Sequence, residues 1–245
     1  MKPSSRADIF LVEHGYAKTR AEAQEAIEAG NVFDGGRRVI KSSQRLNETA
    51  RIKYSPAHPF VSRGALKLAG ALNHFDLSPH GLTALDLGAS TGGFSEVLLA
   101  RGARKVFAVD VGHDQLHSKI ANDPRVTALE GINARDLSPK QIAAAPQAIV
   151  VDVSFISLKI ALPAALSLAA KGAWLVALVK PQFEVGKKFV GKGGIVKDAD
   201  ARIRALVDIG FWLQREQGWR LYGFIDSPVT GGDGNHEFFV AADKP

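Results

Sequence analysis

The chain has 245 residues, 31 Lys and Arg against 25 Asp and Glu, and a formal net charge of +6. It contains no cysteine, which excludes a disulfide framework, a thiolate metal site and a cysteine nucleophile. The seven histidines stand singly, no opening stretch has the apolar core of a signal peptide, and no apolar window is long enough to span a bilayer. The expectation is therefore a cytoplasmic protein with no membrane and no metal partner. Hydrophobic content of 46% and charged content of 23% suit one sizeable α/β domain with room for a small extra module. The positive balance leans toward a polyanionic partner.

Residues 1–53 read as a self-contained module. A short helix fits Ala7–Glu13. Thr19-Arg-Ala-Glu22 is a capping box, in which the Thr19 hydroxyl accepts from the Glu22 amide and the Glu22 carboxylate reaches back. It opens a helix over Ala21–Ala29 that Gly30 stops. Asn31-Val-Phe and Arg38-Val-Ile flank Asp34-Gly-Gly, a hairpin signal. This order resembles the S-four-type RNA-binding module of ribosomal proteins and RNA-modifying enzymes. The resemblance implies that Arg6, Lys18, Arg20, Arg37, Arg38, Lys41 and Arg45 face RNA phosphates and shape. Residues 54–61, with Pro56 and Pro59, read as a linker.

From residue 62 to 245 strands and helices alternate. Ala84–Leu87, Val106–Val109, Val126–Leu129, Ile149–Val153 and Trp174–Val179 are apolar runs of the length and β-branched content of buried parallel strands. Gly93–Ala100, Asp114–Ala121, Pro139–Ala144 and Leu158–Ala169 read as the helices between them. A long amphipathic helix, Ala199–Gln217, leads to Trp219–Phe224, and a last apolar strand begins at Glu237. Right-handed crossovers would bring every strand's C-terminal tip to one ligand-binding edge. The first strand runs into Asp86-Leu-Gly-Ala-Ser-Thr-Gly-Gly-Phe94, and the second ends in Asp110, followed by Val111. The acid lies where a strand tip reaches ribose hydroxyls. Ser90 stands where a dinucleotide fingerprint needs glycine for a pyrophosphate, so the turn favours a phosphate-free nucleoside cofactor, S-adenosylmethionine. Its candidate contacts are Asp86, Gly88, Ala89, Ser90, Thr91, Gly92, Gly93, Phe94, Asp110 and Val111, with Asn133 and Asp136 after the third strand as contacts to the adenine or as a loop-capping pair.

Four polar residues fall where a buried scaffold does not ordinarily place them. Lys67 lies in Ser62-Arg-Gly-Ala-Leu-Lys-Leu, Asp152 in Asp152-Val-Ser-Phe-Ile-Ser-Leu, Lys180 in Val179-Lys-Pro-Gln-Phe-Glu, and Glu237 after Gly234-Asn-His. These words, in this order behind such a module, resemble the FtsJ-like ribose 2′-O-methyltransferases and, within them, the TlyA family once named haemolysin A. The resemblance spans about Arg6 to Ala241. It implies a Rossmann-like methyltransferase sheet with a small α+β RNA-binding domain, a catalytic tetrad of Lys67, Asp152, Lys180 and Glu237, and ribosomal RNA or ribosomal subunits as partner, with a cytidine ribose as acceptor.

The residues suit that chemistry. Methyl transfer to a hydroxyl is an in-line displacement in which alignment supplies much of the acceleration, which leaves the hydroxyl proton to be removed. A free lysine is a neutral base in roughly one part per thousand near pH 7.5; burial beside cations enlarges that fraction, and neighbouring carboxylates reduce it. Lys180 is the expected general base, oriented by Asp152 and Glu237, with Lys67 positioning the ribose or tuning the base. Arg63 and the glycine-rich stretch bearing Lys187, Lys188 and Lys192 are further candidates for RNA contact, the stretch as a mobile loop. Phe155 fits either a stacking platform for a base or, as an aromatic just past a buried strand, the core. Competing readings are a catalytically silent assembly factor, a membrane-lytic protein and a small-molecule methyltransferase; the oligomeric state is left open.

Overall fold

The computed structural model describes residues 4–231 and 234–245. The chain divides between Pro59 and Phe60 into two compact units.

The first unit comprises β1 (Ser4–Arg6), α1 (Ala7–Glu13), α2 (Arg20–Glu28), β2 (Val32–Asp34), β3 (Arg37–Arg38), β4 (Arg45–Asn47) and β5 (Ile52–Tyr54). Strand β1 pairs with β4, and β3-β2-β5 form a small antiparallel sheet. Asp34 pairs with Arg37 across a two-residue turn. Gly35 and Gly36 there take φ of +54° and +86°, the left-handed pair that such a hairpin demands. The capping box is half as expected. Thr19 accepts from the Glu22 amide at 3.2 Å, but the Glu22 carboxylate reaches the Lys18 amide instead, at 2.8 Å, and its other oxygen accepts from the Tyr54 hydroxyl. Phe10, Leu11, Ile27, Val32, Val39 and Leu46 form this unit's own core. The stretch after β5 is fastened to it, by Asn31 donating to the Pro56 carbonyl and by His58 against Glu25.

The second unit runs α3 (Gly64–His74), β6 (Thr83–Leu87), α4 (Gly93–Ala100), β7 (Lys105–Val109), α5 (Ser118–Ala121), β8 (Val126–Leu129), β9 (Ala148–Val151), α6 (Leu158–Ala161), α7 (Pro163–Leu168), β10 (Trp174–Val179), α8 (Ala199–Arg215), β11 (Arg220–Asp226) and β12 (Phe238–Asp243). Three expected helices differ. Asp114 takes a φ of +54°, which no α-helix admits, so α5 begins only at Ser118. Residues 139–144 form a turn and bends rather than a helix, the Ser138 amide being held by the Gln141 side chain in competition with helix formation. Pro163, without an N–H, splits the fourth helix and opens α7.

Seven strands form one sheet in the order β11-β12-β10-β9-β6-β7-β8. All run parallel except β12, which is antiparallel to both β10 and β11. Six strand ends therefore share one edge with the start of β12, not with its tip. Alternation divides the sheet between two cores. Leu85, Leu87, Val151 and Val179 face a core completed by α6, α7 and α8; Ala84, Val150, Val176 and Leu178 face one completed by α3 and α4. Sequential neighbours part between β6 and β9, the switch point at which open α/β sheets bind ligands.

Candidate active site

The turn after β6 is drawn tightly against its neighbours. The Gly88 and Ala89 amides donate to the Val109 carbonyl at 2.9 and 3.1 Å. The Ser90 amide donates to Asp110 Oδ2 and the Gly112 amide to Asp110 Oδ1, both at 2.8 Å. Asp110 is thus fixed at the tip of β7, and the amides of Gly88, Ala89 and Ser90 point inward rather than offering a phosphate cradle. Gly88 has a φ of +78°, and a Cβ on it would lie 2.4 Å from the Asp152 carbonyl oxygen. Only glycine lets β6 and β9 approach so closely at the switch point. Beneath the turn, Asp86 is fully buried and accepts from the Ser95 hydroxyl of α4 at 2.7 Å. Burial pushes its carboxyl up to about 7, against the lowering by Ser95 and with further raising by Asp152 and Asp110.

A cavity of about 660 Å³ opens at this edge. Its lining brings together Gly88, Ser90, Asp110, Val111, Asn133 and Asp152 of the sequence candidates. It does not include Asp136, which is exposed and 3.8 Å from Arg135. Asn133 also caps the short turn Ala134–Asp136 by accepting from the Arg135 amide, so its side chain serves the loop as well as the wall. Ala89, Thr91, Gly92 and Gly93 shape the turn without lining the cavity, and Phe94 is core, 6.2 Å from Phe239 ring to ring. Gln115, Ile132, Ser154 and Ile156 line it without having been singled out from sequence. Phe155 is not core: it is 91% exposed at the cavity rim, holds a φ of +64°, and lies 5.3 Å from Phe183.

The four tetrad candidates form two ion pairs. Lys180, just past β10, places Nζ 2.6 Å from Asp152 Oδ1, just past β9. The same Nζ donates to the Ser154 hydroxyl at 2.8 Å. Glu237, just before β12, takes Lys67 Nζ of α3 at 2.5 Å, both side chains being buried. Glu237 therefore partners Lys67, and Lys180 is held by Asp152 and Ser154, whereas the expectation gave Lys180 both carboxylates. The antiparallel entry of β12 is the reason: it sends the segment before Phe238 past the edge toward α3.

Of the basic candidates, Lys18, Arg37, Arg38, Lys41, Lys187, Lys188 and Lys192 are exposed. Arg6 and Arg20 are engaged by the fully buried Asp8, at 3.0 and 2.9 Å, with Gln24 as a third donor. The Arg6 guanidinium first, then Gln24 and Arg20, hold the Asp8 carboxyl well below the usual range, against the effect of burial. Arg63 donates to the Thr230 carbonyl. The lysine-bearing stretch forms short turns at Lys187–Phe189 and Lys192–Gly194.

Comparison with known proteins accounts for both units. Residues 5–52 match the S4 domain and residues 60–244 the FtsJ-like methyltransferase. Over 242 residues the chain is 45% identical to the 16S/23S rRNA (cytidine-2′-O)-methyltransferase TlyA of Mycobacterium tuberculosis, covering 98% of this chain and 90% of that one. The chain belongs to the TlyA family of FtsJ-like methyltransferases. It is also 37% identical to Hemolysin A of Brachyspira hyodysenteriae, across 96% of this chain and 98% of that one. A solved hemolysin-named protein of Streptococcus thermophilus superposes with a TM-score of 0.78 at 37% identity, covering 100% of this chain and 90% of that one. Among the described residues of this TlyA-family chain, no helix is long and apolar enough to cross a membrane.

Membership makes it an S-adenosylmethionine-dependent methyltransferase, and the cavity fits that donor. Asp110 presents a carboxylate whose oxygens each hold one backbone amide, leaving lone pairs for ribose hydroxyls. Val111, Ile132 and Ile156 supply apolar walls, and no phosphate site is needed.

Proposed function

We propose that the chain transfers a methyl group to a ribose 2′-hydroxyl of ribosomal RNA, a cytidine in the first instance, with Lys180 as general base. The carrying observation is the Lys180 side chain, held by Asp152 Oδ1 and Ser154 Oγ beside a cavity that both of those residues line. The name of the Mycobacterium tuberculosis relative supports the acceptor, and the S4 match supports RNA as the partner.

S-adenosylmethionine supplies an electrophilic methyl on a sulfonium. Asp110, Val111 and Asn133 would hold its nucleoside end, and Gly88 and Ser90 would flank the remainder. Lys180 Nζ, unprotonated in the reacting complex, takes the 2′-hydroxyl proton as the oxygen attacks. Ser154 Oγ accepts a hydrogen bond from Nζ and the Asp152 carboxylate lies against it as an ion pair, which together hold the amine at the cavity edge. Lys67, compensated by Glu237, holds the ribose in line. Phe155 offers an exposed ring at the rim on which the target base stacks.

The test is transfer of labelled methyl from S-adenosylmethionine to ribosomal subunits. Wild type is expected to label RNA ribose. Lys180→Ala loses about 10²–10⁴ in kcat, the usual worth of general-base assistance, while donor affinity stays near normal. Near-wild-type turnover of Lys180→Ala at saturating donor and RNA sinks the assignment. Phe155→Ala is expected to lose about 1–3 kcal/mol of stacking, read as a fall in kcat/KM for RNA with donor affinity kept; unchanged kcat/KM removes Phe155 from the site.

A further inference from the structure

Asn235 is 1% exposed and stands two residues before Glu237. Its side-chain amide bonds at both ends to one distant stretch of backbone. Oδ1 accepts from the Val196 amide and Nδ2 donates to the Gly194 carbonyl, each at 3.0 Å. A primary amide carries donor and acceptor in one plane, so a single side chain grips this strip as a neighbouring strand would. Its own carbonyl accepts from the Gly231 amide, and the Ser227 amide donates to the Glu237 carbonyl, which fastens the far end of the connection between β11 and β12.

The gripped strip ends the stretch that carries Lys187, Lys188 and Lys192. That stretch is also seated on α8. Arg202 donates to the Val196 carbonyl at 3.0 Å, and the Phe189 ring lies 4.9 Å from Lys188 Nζ and 5.5 Å from the Arg204 guanidinium. Val196 is thus bonded on both sides, to α8 and to Asn235. From Asn235 the path to Glu237 is two residues of backbone, and Glu237 is paired with Lys67.

We propose that Asn235 is a positioning residue that ties the lysine-bearing segment to Glu237, so that polyanion held by Lys187, Lys188 and Lys192 is registered at the Lys67–Glu237 pair. The proposal rests on the catalytic reading of that pair. Asn235 lies outside the lining of the donor cavity, so its loss separates two properties that a cofactor residue would change together.

The experiment uses the full chain with Asn235→Ala and Asn235→Asp, the latter keeping the acceptor for Val196 and losing the donor to Gly194. Amide exchange is read at Val196, donor affinity by calorimetry, and kcat and KM on ribosomal subunits. Losing buried hydrogen bonds of this kind is worth about tenfold or more. Asn235→Ala is therefore expected to lower kcat by about tenfold or more and to deprotect Val196, with donor affinity within about twofold and Asn235→Asp intermediate. Combining it with Lys187→Ala, Lys188→Ala and Lys192→Ala is expected to be non-additive in kcat. Unchanged kcat, additive effects, or loss of donor affinity alongside kcat overturns the proposal. If Asn235→Ala does not fold, Asn235→Asp carries the same readings. If the wild-type chain methylates no ribosomal RNA, the functional reading fails first. The tie is then judged on exchange alone: selective deprotection of Val196 supports it and unchanged protection overturns it.

Discussion

Asp86 lies under the cofactor turn, fully buried, with one carboxyl oxygen on the Ser95 hydroxyl and the other without a hydrogen-bond partner. Its pKa of about 7 exceeds the ordinary carboxylate value of about 3.9. The folded state therefore keeps a proton that the unfolded chain gives up. Stability from this group is greatest below about pH 4, falls as pH rises toward 7, and is level above. Asp86→Asn keeps an acceptor for Ser95 and removes the buried charge. The variant is expected to melt higher than wild type at pH 8, with the gap closing near pH 4; a gap independent of pH refutes the buried-carboxyl account. Phe155 teaches the opposite lesson at the same scale. Its position just past a buried strand suits the core, and its left-handed backbone instead turns the ring out to solvent. That backbone state has no mark in the residues around it.

The central parallel strands are legible because a strand buried on both faces must be apolar throughout; β10, buried at every position, has the bounds read from sequence, and the part-buried edge strand β8 does too. The connections are less so. Residues 139–144 read as helix, yet the Ser138–Gln141 contact opens them as a turn followed by irregular chain. The tetrad shows the same division. Asp152, Lys180 and Glu237 are visible as polar residues at the ends of apolar strands and Lys67 as a polar residue in an apolar helix, but who pairs with whom depends on β12 entering antiparallel beside β10, and no local pattern announces strand order. The β6–α4 turn makes a further prediction. Gly88→Ala brings Cβ to 2.4 Å from the Asp152 carbonyl at a positive φ. The variant is expected to lose donor affinity by tenfold or more, since strain of about 1–3 kcal/mol at such a position must be relieved by moving the turn; unchanged calorimetric affinity would show that the close approach is not needed.

Across the molecule, positive charge sits on both units, as Arg37, Arg38 and Lys41 in the first and Lys187, Lys188 and Lys192 in the second. Phosphate contacts release counterions, so affinity falls with salt in proportion to their number. Replacing Arg37 and Arg38 with alanine is expected to weaken RNA binding and to flatten the log–log salt dependence by roughly 1.5, at about 0.7–0.9 per contact, with donor affinity intact; an unchanged slope places the RNA elsewhere. The pair Lys67–Glu237 joins positions 170 apart in the chain, through a strand that must insert between β10 and β11. During synthesis the turn, Asp110, Asp152 and Lys180 all leave the ribosome before Glu237 does. A growing polypeptide therefore carries Lys67 without its carboxylate partner until Glu237 has emerged.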